Sequence, residues 1–106
     1  MSTRVRAVLA ELRRRLEGLY GDRLVKLVLF GSHARGDSAS DSDTDVLVVL
    51  KGPVQVGTEI ERGSTVTAPL SLEHDVVISC VYVPEDRFEQ DHGPLLHNVR
   101  AEGAQV

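Results

Sequence analysis

The sequence predicts one small α/β (α+β) domain, a mixture of helices and a few buried strands. Three observations carry that reading: a run of apolar residues at helical spacing near the start, three β-rich apolar runs later on, and a length of 106 residues. A chain of this size buries ~65% of its unfolded surface in one core. Nothing is left over for a second, so residues 1–106 are expected to form a single domain. Apolar residues at 42% and charged residues at 26% are globular values and argue against disorder.

Val5, Val8, Leu9, Leu12, Leu16 and Leu19 recur at helical spacing with most arginines on the other face, which predicts an amphipathic helix over about 3–19. Gly18 to Gly21 ends it. Val25 to Phe30 reads as a strand over 24–30, stopped by Gly31. Residues 31–44 are rich in Gly, Ser and Asp, with room for one helical turn between Ser32 and Gly36. Val46 to Leu50 is continuously apolar, the mark of a central strand buried on both faces. Val56, Ile60, Gly63, Thr67 and Leu70 would share one face of a helix over 55–72, with a break expected near Pro69. Asp75 opens a third strand through Val83, ended by Pro84, and a turn follows at Glu85–Glu89. Pro94 to Glu102 reads as a last helix.

Composition excludes several classes. No apolar run approaches the ~18 residues that cross a bilayer, and Met1-Ser2-Thr3-Arg4 begins no signal peptide. The lone cysteine, Cys80, precludes an internal disulfide and makes a reducing cytoplasm the expected location. The four histidines and Cys80 lack zinc-site spacing. A net charge of −4 argues against sequence-blind nucleic-acid binding. The charge is unevenly spread. Arg4, Arg6, Arg13, Arg14 and Arg15 crowd the first helix, as a solvated face or a partner contact, whereas Asp37, Asp41, Asp43 and Asp45 form an acidic stretch without a basic residue.

That stretch is either a solvated loop or a cation site. In extended chain, residues i and i+2 point the same way, so Asp43 and Asp45 present two carboxylates to one side at the mouth of a buried strand. Two such charges raise each other's pKa unless a cation compensates, and an oxygen-only donor set suits Mg²⁺ or Mn²⁺. Asp75 precedes the third strand as the pair precedes the second, and neighbouring strands would bring the three together. Gly31 lets the backbone approach a ligand closely. Ser32 either caps a short helix or offers its hydroxyl and backbone N–H groups to a phosphate, and Arg35 is either solvated or a further phosphate contact. Cys80 reads as packing, and His33, His92 and His97 as surface residues.

Gly31-Ser32, ten intervening residues, Asp43-x-Asp45 and a later Asp75 resemble the signature of the polymerase-beta-like nucleotidyltransferases, in particular their minimal nucleotidyltransferase (MNT) members. The likeness is densest over FGSHARGDSASDSDTDVLVVL and extends over most of the element order. It implies a nucleotidyltransferase fold with a small mixed sheet of three or more strands. It also implies that Gly31, Ser32 and Arg35 hold the triphosphate of ATP, while Asp43, Asp45 and Asp75 ligate two Mg²⁺ ions and carry catalysis. Many MNT proteins are antitoxins paired with a helical HEPN-domain toxin, and active ones transfer AMP to a tyrosine of that toxin. The expected function is therefore a Mg²⁺-dependent protein adenylyltransferase antitoxin whose partner is a HEPN toxin. Two alternatives stand beside it: a binding module that neutralises its partner by contact alone, and a nucleotidyltransferase acting on a small hydroxylated molecule.

Overall fold

A four-stranded mixed sheet, order β3-β2-β1-β4, separates two layers of helix in the computed structural model. It describes residues 3–31, 43–90 and 93–106. Helix α1 (Thr3–Tyr20) buries Val5, Val8, Leu9, Leu12, Leu16 and Tyr20, a stripe at steps of three and four residues. It ends where Gly21 turns left-handed at φ 57°, a conformation that costs glycine little. A 3₁₀ turn, Gly21–Arg23, leads into β1 (Leu24–Phe30).

β2 (Thr44–Leu50) lies inside the sheet, and Val46 to Leu50 have no exposed surface, as continuous apolar character predicts. It pairs antiparallel with β1 through Phe30↔Asp45 and parallel with β3 (Ile78–Pro84) through Asp45↔Ser79. The end of β1 and the starts of β2 and β3 therefore meet at one end of the sheet. β4 (Ala104–Gln105), a two-residue strand that sequence reading did not predict, pairs antiparallel with β1.

Helix α2 (Val56–His74) joins β2 to β3 and packs with α1 on one face. The expected break at Pro69 does not occur. Pro69 and Thr65, whose carbonyl loses its helical donor, are both exposed, so water can replace the missing bond. The buried face also differs from the expected one. Glu59, Gly63, Val66 and Leu70 point inward, and Val56 and Ile60 outward. Gly63 is required there because a Cβ would fall on the Tyr82 hydroxyl. Two short helices cover the other face: α3 (Glu85–Gln90), where a turn was expected, and α4 (Pro94–Glu102), with the predicted bounds. Phe88, Leu96 and Val99 from these helices pack on Val28, Leu47, Val49 and Val83.

The third strand begins at Ile78 rather than beside Asp75. Asp75 is instead the C-cap of α2, left-handed at φ 52° and ψ 50°, with its N–H donating to the Ser71 carbonyl. Val76 and Val77 look like strand in sequence but are taken up by the exit from the helix.

Candidate active site

The alternation of β2 orients the acidic pair. Thr44 is 1% exposed, and its neighbours Val46, Val48 and Leu50 belong to the α1–α2 core. Leu47 and Val49 belong to the opposite core, so Asp45 takes the α3–α4 side, and Asp43 immediately precedes the strand. Asp43 is exposed and Asp45 half-buried, a carboxylate pair at the open end of a rigid strand.

Gly31 completes the constellation. It follows Phe30, the residue paired with Asp45, and takes φ 79°. A Cβ there would stand 2.6 Å from Asp45 Oδ2, so only glycine lets this backbone lie against that carboxylate. Close backbone approach beside paired acids suits a phosphate chain held together with a hard cation. Ser32 and Arg35, the other two expected phosphate contacts, lie outside the described residues.

Asp75 comes to the same end of the sheet by a different route. The Thr44 N–H donates to the Val77 carbonyl at 2.8 Å, tying the segment after Asp75 to the residue between Asp43 and Asp45. Among the described residues, no three His, Cys, Asp or Glu side chains gather closely enough to hold a metal ion. The oxygen donors of Asp43 and Asp45 fit a hard divalent cation as a pair, and Asp75 stands on an exposed turn at the same end of the sheet.

Other titratable groups serve the scaffold. The arginine run of α1 is largely spoken for within the chain: Arg13 pairs with Glu17 at 2.9 Å, Arg14 with Glu11, and Arg15 with Glu11 at 2.8 Å and Glu73 at 3.0 Å. Hydrogen bonds from Arg14 and Arg15 bring the Glu11 carboxyl down to about 2. Burial pushes the Cys80 thiol up to about 11, which fits packing rather than reactivity. Glu59 was not singled out in sequence and is 2% exposed at the other end of the sheet. There Tyr20 Oη donates to it at 3.1 Å, and Arg23 and Arg62 stand at 3.3 and 3.5 Å. A cavity of about 560 Å³ opens beside it, and another of about 430 Å³ lies along β3, neither lined by Asp43 or Asp45.

A paired acid stands at the start of a central strand, faced by a glycine turn from the antiparallel neighbour, and the family of the chain is shown by its likeness to known proteins. The nucleotidyltransferase domain family matches residues 9–101. MJ0604 of Methanocaldococcus jannaschii, a candidate protein adenylyltransferase, is 36% identical over 89 residues, 83% of each chain. A toxin–antitoxin structure with AMP-PNP shares the fold at TM-score 0.62 and 20% identity, over 89% of this chain and 68% of that one. A minimal nucleotidyltransferase structure aligns at TM-score 0.53 and 25% identity, over 92% and 95%. The chain belongs to the nucleotidyltransferase domain family, as one of its minimal, polymerase-beta-like members.

Among the described residues, no helix is long and apolar enough to cross a membrane.

Proposed function

We propose that this nucleotidyltransferase transfers AMP from ATP to a hydroxyl on a partner protein, acting as the antitoxin of a HEPN-domain toxin. The observation that carries the reading is Asp45 held against the Gly31 backbone, with Asp43 two residues before it at the mouth of β2. In the proposed reaction the acceptor oxygen attacks the α-phosphorus and the bond to the bridging oxygen breaks. Pyrophosphate leaves, and the hydroxyl proton passes to Asp75. Gly31 and Ser32 hold the triphosphate, with Arg35 as a further contact. Asp43 and Asp45 would hold two Mg²⁺ ions, with Asp75 joining them in the loaded site; when bound, the ions would lower the acceptor's pKa and stabilise the departing oxygen. The chain's own part is position and charge compensation. The relatives support this reading: MJ0604 is a candidate protein adenylyltransferase, and the toxin–antitoxin structure of the same fold was solved with an ATP analogue.

A second reading, neutralisation of the partner by contact alone, is favoured by one observation. No three-acid group is formed among the described residues. One experiment separates the two: the chain is incubated with labelled nucleoside triphosphates, Mg²⁺ and the co-purifying partner, then repeated with Asp43→Asn and Asp45→Asn. Label on the partner from ATP, lost in both variants, supports adenylyl transfer. Neutralisation that survives both substitutions supports contact alone.

A further inference from the structure

Asp75 is the only residue other than glycine with a positive φ among those described. A left-handed helix cap is the natural place for glycine, and an aspartate there costs on the order of 1 kcal/mol more. Nothing about ending a helix requires that side chain. The turn is nevertheless held tightly. Its own N–H and that of Val76 both donate to the Ser71 carbonyl, the latter at 3.1 Å. The guanidinium of Arg4, seventy residues away on α1, donates to both carbonyls of the turn, that of His74 and, at 2.8 Å, that of Asp75. Carbonyls at an exposed helix end are ordinarily satisfied by water. Here a distant side chain bridges them from one nitrogen, Arg4 Nη2, which donates to both. The next fixed point along the chain is the Val77 carbonyl, bonded to Thr44, which lies between Asp43 and Asp45. Two hydrogen-bonded contacts, Arg4 with the turn and Thr44 with Val77, are thus joined by the three-residue backbone 75–77 into one path from the first helix to the acidic pair.

We infer that Arg4 is a positioning residue for the transfer reaction. By clamping the left-handed turn at 74–75, it fixes the backbone that carries the Asp75 carboxylate relative to Asp43 and Asp45. This rests on the proposal that Asp75 serves the cation and the acceptor, and the test keeps the two apart. Mn²⁺ binding to the full chain, in the presence of a non-hydrolysable ATP analogue, is read by calorimetry for the wild type, R4A, R4K, R6A, D75N and R4A/D75N. Partner labelling is followed in parallel against Mg²⁺ and against ATP.

R4A is expected to weaken Mn²⁺ binding and raise the Mg²⁺ requirement about five- to tenfold, the scale of a lost charge-assisted hydrogen bond partly transmitted, with KM for ATP unchanged. R4K recovers part of the loss. R6A, which removes the same charge from the same helix, matches the wild type. In the D75N background R4A adds nothing, since its effect runs through that carboxylate. If D75N binds Mn²⁺ and labels the partner like the wild type, the proposed role of Asp75 falls. If D75N is impaired but R4A matches R6A, or adds its full effect to D75N, the role of Arg4 alone is overturned. Should R4A fail to fold by circular dichroism, R4K carries the comparison, and a wild-type Mg²⁺ requirement in R4K overturns the clamp.

Discussion

At Gly31 one missing side chain decides whether the site can form. Gly31→Ala puts a methyl 2.6 Å from Asp45 Oδ2 and forces alanine to φ 79°. A loss of about 1–3 kcal/mol in stability is expected, measured by urea denaturation, together with loss of nucleotide transfer in the labelling assay. Cys80 makes a different prediction. Burial raises its thiol from 9.0 to about 11, so the folded chain holds the proton more tightly than the unfolded one. That contribution to stability is complete below pH 9 and disappears as pH rises through 11. At pH 8 a thiol-specific chromogenic disulfide should react slowly with the native chain and fast in denaturant. A native rate equal to the denatured one would contradict the burial. The pairing of Asp43 with Asp45 was legible in sequence because period-two geometry needs only two residues and a strand. The place of Asp75 was less so, because Val76 and Val77 extend the apolar run and hide where the helix stops.

Helix α2 shows what local propensity misses at the scale of an element. Gly63 and Pro69 both count against a helix, yet the helix is continuous: Gly63 makes room for Tyr82, and Pro69 gives up its bond on the solvent side. Gly63→Ala should therefore destabilise by about 1–3 kcal/mol through overpacking, against the roughly 1 kcal/mol gain that alanine brings an open helix position. Tyr82→Phe in the same chain should recover part of the loss, and a stabilising Gly63→Ala in urea melts would contradict the packing. Glu59 was hidden for a related reason. The inward stripe of Glu59, Gly63, Val66 and Leu70 runs beside the one suggested by Val56 and Ile60, and a carboxylate gives no hint that Tyr20, Arg23 and Arg62 will enclose it. Glu59→Ala leaves those groups without their acceptor and should cost about 2–3 kcal/mol in the same measurement.

Across the whole molecule, two apolar clusters share one sheet: α1 and α2 lie over one face, α3 and α4 over the other. Because β1 and β2 contribute to both, the faces should melt together. Leu12→Ala in the first cluster and Leu96→Ala in the second should each lower a single common unfolding midpoint, by about 2–4 kcal/mol. Two transitions in either variant would show that the layers are independent. The order of the larger elements was legible from periodicity and breakers. β4 was not, because two residues carry no pattern and its pairing with β1 is set by distant chain.

Phe30 and Asp45 are register partners across β1 and β2, so Gly31 and Asp43 stand at the same end of the sheet. Asp45 is anchored by the ladder on both sides, Phe30 of β1 and Ser79 of β3. A substitution that slips either neighbouring strand would therefore carry this carboxylate away from the Gly31 backbone.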